Sequence, residues 1–171
     1  MNWLGSYRSP IGDLVSRWQV PTTADVGIRA FAATPSSLFR EATLGMQEIL
    51  LSTNGSKEVD SFTRKNGVWS IRKQSDMENT LVEWLEEVLF RAEVEGQWLV
   101  DCLIQIGDER LDAQVSYVDE SLVEREVEIK AVTRHELEFR HISAGEMVSG
   151  IDEYVPEFEG PGWMANVIFD I

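Results

Sequence analysis

The sequence predicts an α+β fold: a single domain built on a mixed or antiparallel sheet, with two helices packed on one face. Three observations lead there. Many short segments alternate apolar and polar residues with the period of two that a half-buried strand requires. Two stretches instead carry apolar residues at helical spacing. The chain has 171 residues, 43% of them hydrophobic, which is enough for one core and too little for two comfortable domains.

Residues 1–14 hold Gly, Ser and Pro without a period and read as an irregular N-terminal extension to a domain spanning 15–171. A strand from Ser16 to Val20 breaks at Pro21-Thr22-Thr23, and a second follows through Val26, Ile28, Ala30 and Ala32. Thr34-Pro35 combines an N-cap hydroxyl with a proline at the first helical position, where its missing N–H costs nothing. Leu38, Ala42, Met46, Ile49 and Leu50 then form one apolar stripe, and Asn54-Gly55 is expected to close that helix. Between Lys57 and Lys73 the pattern suggests two strands hinged at Asn66-Gly67, a hairpin signal. Ser75-x-x-Glu78 reads as a capping box for the second helix. Its core stripe is Leu81, Trp84, Leu85, Val88 and Leu89, with Glu83, Glu86 and Glu87 facing away and Gly96 ending the segment.

Strands follow. Trp98 to Ile106 alternates, Gly107-Asp108 turns, and Leu111, Ala113, Val115 and Tyr117 alternate on the return. Val127, Ile129 and Ala131 suggest another strand, Leu137 and Phe139 a further one. Residues 141–162 are rich in Gly, Ser, Pro and acids and read as a long surface excursion. Trp163 to Phe169 is apolar on both phases apart from Asn166, as a central strand buried on both faces would be.

Charge narrows the function. There are 30 acidic residues against 15 basic, a net charge of −15. Nucleic-acid binders neutralise phosphates with clustered Lys and Arg, whereas here the basic residues come singly or in pairs such as Arg64-Lys65 and Arg72-Lys73. Tight direct binding of nucleic acid is not expected; attraction to a cation or a basic protein surface is, although the same acidity also serves solubility. Cys102, the one cysteine, falls in phase with apolar strand neighbours and is expected to be a buried thiol. His135 shares a phase with Leu137 and Phe139 and is expected to be a partly buried structural histidine. No apolar run approaches the roughly 20 residues needed to span a bilayer, and the N-terminus lacks the pattern of a signal peptide, so a cytoplasmic protein without a membrane role is expected.

No glycine-rich phosphate loop, paired-histidine motif or Gly-x-Ser-x-Gly elbow is present, so the common enzyme templates fall away. What remains is a set of acids. Asp25 stands where a strand begins. Asp170 is penultimate, directly after an apolar strand, with the main-chain carboxylate of Ile171 beside it. Crowded carboxylates repel one another unless a cation or donor compensates them, and all-oxygen ligation suits calcium, magnesium or manganese. The same residues also read as solvated strand ends, with Asp25 bonding its own backbone. Lys130, in a polar phase with Glu126 and Glu128, reads either as half of a cross-strand ion pair or as a group reaching toward a partner.

These segments carry a family resemblance. Thr23-Ala24-Asp25-Val26-Gly27-Ile28, followed by Ala42-Thr43-Leu44-Gly45-Met46, resembles the opening of an archease. So do Leu81-Val82-Glu83-Trp84-Leu85-Glu86-Glu87-Val88-Leu89 and Glu95-Gly96. Glu128-Ile129-Lys130-Ala131-Val132-Thr133-x-His135 is similar to the family's Lys-Ala-Val-Thr-Tyr-His segment, and Val167-Ile168-Phe169-Asp170-Ile171 to its C-terminal signature. The blocks occur in the family's order from about residue 16 to the end.

The resemblance implies a non-enzymatic activator of the GTP- and manganese-dependent RNA ligase of tRNA splicing and RNA repair, which joins 3′-phosphate and 5′-hydroxyl ends. The helper would promote guanylylation of the ligase and its multiple turnover. It also implies a bound divalent metal ion, calcium by preference, held by Asp25, Asp170 and Ile171, and a role for Lys130 in activating the partner. Where the family usually has His before Thr-Ala-Asp this chain has Thr22, and Arg134 stands in place of the usual Tyr; residues 1–14 and 141–162 are longer than typical. Two other readings stay open on the residues: a metal-binding chaperone or adaptor with a different client, and a hydrolase using Asp25, Asp170 and a divalent metal.

Overall fold

The computed structural model describes the backbone of residues 7–8 and 14–171, with side chains from 17 onward. Of the stretch read as an irregular extension, 1–6 and 9–13 lie outside the described residues, while β1 (Tyr7–Arg8) pairs antiparallel with β2 (Leu14–Pro21). β2 pairs with β3 (Val26–Ala32), and β3 with β11 (Gly162–Asp170), both antiparallel. On its other side β11 pairs with β8 (Glu138–Ile142) and, near its end, with β7 (Ala131–Val132). The last strand in sequence is thus central, as its two-phase apolarity predicts. A second, three-stranded sheet runs β4 (Lys65–Arg72), β6 (Arg110–Asp119), β5 (Gln97–Ile106). The α+β class holds, with the strands divided among separate sheets.

The helices α1 (Pro35–Leu50) and α3 (Met77–Glu93) join the sheets through one core. α1 packs on β2, β3, β11 and β5, α3 on β5, β4, β7 and β8. The expected stripes face inward: Leu38, Ala42, Met46, Leu81, Trp84 and Leu85 are fully buried. Burying a large apolar side chain contributes about 1.5–3 kcal/mol, so these two stripes drive the assembly. The buried Gln47 and Glu41 side chains are matched within it. The Gln47 amide donates to Leu99 O (2.8 Å), the carbonyl beside the bulge where β5 slips register between Leu99 and Asp101. The Glu41 carboxylate, almost wholly buried, is met by Arg17 at 2.7 Å and Arg40 at 3.5 Å.

Several local expectations give way. α1 begins as predicted, with Thr34 Oγ1 accepting from the Ser37 N–H at 3.1 Å, but it ends at Leu50 with Leu51 extended. Ser52 then caps a further short helix, α2 (Thr53–Glu58), which contains Asn54-Gly55 instead of stopping before it. Gly55 is required there for close approach: a Cβ would lie 2.2 Å from the Glu124 carbonyl oxygen. Asn66-Gly67 makes no hairpin; β4 runs straight through it, paired residue for residue with β6. The cap of α3 is Asp76 and not Ser75. Its carboxylate accepts from the Asn79 N–H at 2.7 Å and is held below the usual carboxylate range by that bond and by the Asn79 amide.

Of the expected Val127–Ala131 strand only Ala131 is regular, in the two-residue β7 that continues to Val132, although Ile129 is buried. His135 precedes β8 and is exposed, so its predicted structural burial does not occur. The excursion 141–162 is partly internal. Its strands β9 (Met147–Val148) and β10 (Phe158–Glu159) pair antiparallel. Ile142, Val148, Val155 and Phe158 form a second small core with Phe31 and Met164 on the back of the main sheet. Phe158 stacks on Phe31 with ring centroids 4.2 Å apart.

Candidate functional site

The chain order scatters Asp25, Lys130, Asp170 and Ile171, and the sheet gathers them. Along the β3–β11 ladder Phe169 faces Val26. Asp25 and Asp170 each stand one residue beyond that last pair, at the same end of the ladder. On the other side of β11, Asp170 faces Ala131 in β7. The Lys130 N–H donates to Asp170 O at 2.8 Å, and the Lys130 ammonium donates to Ile171 O at 3.2 Å. The four residues singled out from sequence therefore share one end of the central strand.

Asp25 is held by a tight local turn. Its N–H donates to Thr22 Oγ1 at 3.1 Å, and the Thr22 hydroxyl donates back to Asp25 O at 3.0 Å. Thr22, which replaces the family's usual His, thus serves a structural purpose by fixing the backbone from which the carboxylate projects. Arg134, the other departure, donates to the Asn79 side chain at 2.8 Å and ties the segment after β7 to the start of α3.

Asp25 is half-buried and Asp170 exposed. Two side-chain carboxylates and a main-chain oxygen are hard donors, of the kind that suit calcium, magnesium or manganese rather than a soft metal. Among the described residues no three His, Cys, Asp or Glu side chains converge on one point. A hard cation here would therefore draw further oxygens from the main chain and from water, as such ions commonly do. In that arrangement Asp25, Asp170 and Ile171 would hold the ion, which would supply positive charge at a tip otherwise dominated by anions.

Cys102 offers no nucleophile. It is buried as expected, and desolvation pushes its thiol up to about 12.

Two surface features near this end were not foreseen. Behind the sheet a cavity of about 340 Å³ is crossed by a polar row. Arg29 donates to Asn166 at 2.7 Å and Asn166 donates to Glu138 at 3.1 Å, which explains the one polar residue in the apolar run of β11. Beside Lys130 an open groove of about 500 Å³ runs between α3 and residues 128–131. Its floor includes Leu89, Phe90 and Val94. The last two form an i, i+4 apolar pair lying off the core stripe, a signal that periodicity alone reads as noise.

Comparison with known proteins agrees with the resemblance read from the motifs. A curated protein archease from Methanosarcina barkeri is 28% identical over 156 residues, covering 87% of this chain and 91% of that protein. A probable protein archease from Mycobacterium tuberculosis is 32% identical over 121 residues, 70% of this chain and 64% of that protein. The solution structure of Methanobacterium thermoautotrophicum protein 1598 superposes with a TM-score of 0.58 at 21% identity, over 91% of this chain and 98% of that one, and so shares the fold. The model of the archease protein family (MTH1598/TM1083) matches residues 18–171, a span that includes both long helices and every residue of the gathered site. This chain belongs to the archease family.

Proposed function

We propose that this chain is a non-enzymatic activator of the GTP- and manganese-dependent tRNA-splicing RNA ligase, promoting ligase guanylylation and multiple turnover in the cytoplasm. Family membership supports the general association with the tRNA ligase. The observation that supports the finer reading is the placement of Asp25, Asp170, Ile171 and Lys130 at one exposed end of β11. Such a tip can enter a neighbouring enzyme's site as a unit, because Asp170 ends a central strand, Lys130 is bonded to it and Asp25 is fixed by its turn with Thr22.

Each residue contributes separately. Asp25 and Asp170 present carboxylates, and with Ile171 they hold a divalent ion, calcium by preference, that supplies fixed positive charge. Lys130 keeps Ile171 O in place through its ammonium and offers its remaining donors to an acidic or phosphate group of the partner. The net charge of −15 favours engagement of a basic protein surface over RNA.

The test is a guanylylation assay with purified ligase, GTP and manganese, comparing the wild-type chain with Asp170→Ala. The expected result is acceleration by the wild type, and a loss of roughly tenfold or more in the variant despite an unchanged melting temperature, the scale on which removing one group of a metal's ligand environment acts. A folded wild type that leaves an active ligase unaccelerated would rule the proposal out.

A further inference from the structure

Apart from Lys130, the residues of the groove beside it take no part in the activator function as described. Its floor is apolar: Leu89 is half-buried, while Phe90 and Val94 keep 45% and 65% of their surface exposed, high for large apolar side chains. Its rim is acidic. Glu86 and Glu128 face it from opposite walls, both exposed; neither makes a close ion pair among the described residues, although Glu128 lies within the field of Arg125, whose guanidinium pairs with Glu93 and Glu120. Glu93, also on the rim, is paired with Arg125 at 2.5 Å. Arg91, next to Phe90 in the chain, is turned away: it pairs with Glu87 and lies over the Trp69 ring. Among the described residues, the one cation in the lining is Lys130, and Ile171 O engages it at the far end.

We infer that this groove docks a short segment of a partner protein carrying one or two large apolar side chains flanked by lysines or arginines. The apolar floor between α3 and residues 128–131 supplies the hydrophobic contact. Exposed carboxylates without a close ion pair on both walls select positive flanks. The same carboxylates repel RNA and anionic lipid. A second copy of this chain is a poor occupant, since it carries the same excess of acids. The groove shares Lys130 with the tip of β11, so an occupant here holds the tip against the same partner. That the partner is the RNA ligase rests on the function proposed above; the chemistry of the groove does not.

The experiment has two arms. In the first, the ¹⁵N-labelled full chain is titrated by NMR with a synthetic amphipathic peptide of lysine and leucine. A peptide with glutamate in place of lysine, and one with serine in place of leucine, serve as controls. Saturable shifts confined to Leu89, Phe90, Val94 and residues 128–131, seen with the first peptide only and weakened about tenfold in the double variant Glu86→Lys/Glu128→Lys, are expected. Both residues are exposed, so the fold should tolerate the change, which the variant's own spectrum checks. Shifts elsewhere, or equal binding by the double variant, would overturn the groove. In the second arm the same variant is assayed for ligase binding and guanylylation. A ligase bound and accelerated equally by both proteins overturns the ligase as the groove's occupant while leaving the activator function intact. Groove-confined peptide shifts without any ligase acceleration would uphold the groove and sink the activator function.

Discussion

Thr43 shows how much a single hydroxyl can hold in this core. It is fully buried on α1, where its hydroxyl donates to Phe39 O at 2.6 Å and accepts the indole N–H of Trp84 at 2.8 Å. The bond joins the two long helices at a point where both are fully buried. Replacing the hydroxyl by a methyl keeps the volume but strands the Trp84 N–H away from water. Thr43→Val should therefore cost about 1–3 kcal/mol, the penalty for an unmatched buried donor. Urea unfolding would register this as a lower midpoint with an unchanged slope. Thr43→Ser, which keeps the acceptor, should cost less. Glu41 is a related case with charge: it lies buried on α1 beside the apolar stripe, where Arg17 and Arg40 reach it.

Among the elements, α2 and the excursion best illustrate what local signals miss. Gly55 carries the composition of a helix stop, and the reason for it is a contact with Glu124, far away in the chain. Because the atom it would strike is main-chain, the site cannot relax by a rotamer change. Gly55→Ala is expected to destabilise the fold by about 1–3 kcal/mol through overpacking, despite alanine's better helix propensity. Chemical denaturation measures the loss, and amide exchange would locate it in residues 51–58 and 124–127. An unchanged or increased stability would mean that Glu124 moves aside freely. In the excursion, turn-forming residues dominate the composition and conceal widely spaced apolar anchors. Ile142, Val148, Val155 and Phe158 have no common period, because they come from short strands and bends rather than from one element.

At the scale of the whole molecule, the net charge of −15 works against compactness while favouring association with basic surfaces. Screening should relieve that repulsion. Raising sodium chloride from roughly 10 mM to roughly 0.15 M, which shortens the Debye length from about 30 to about 8 Å, is expected to raise the melting temperature by a few degrees. Calcium added at matched ionic strength is expected to raise it further in the wild type and not in Asp25→Ala, because a ligand that binds only the folded state stabilises it by mass action. Differential scanning calorimetry separates the two effects. An identical calcium response in both proteins would mean that the ion acts as a general screening charge.

The sequence by itself determined the α+β class, the inward stripes of α1 and α3, the buried Cys102, the central position of β11 and the family. Each is written in short-range periodicity or in contiguous motifs, and neighbouring residues impose both. It also marked Asp25, Lys130, Asp170 and Ile171 as residues of interest, but offered no physical ground for joining them. Only the tertiary structure placed them at one end of the central strand, since strand order and register depend on contacts between residues far apart in the chain. The same holds for the turn that Thr22 makes under Asp25, for the exposure of His135, and for the groove beside Lys130. A groove exists only where two separately encoded surfaces fail to close on each other, and no local pattern describes that gap.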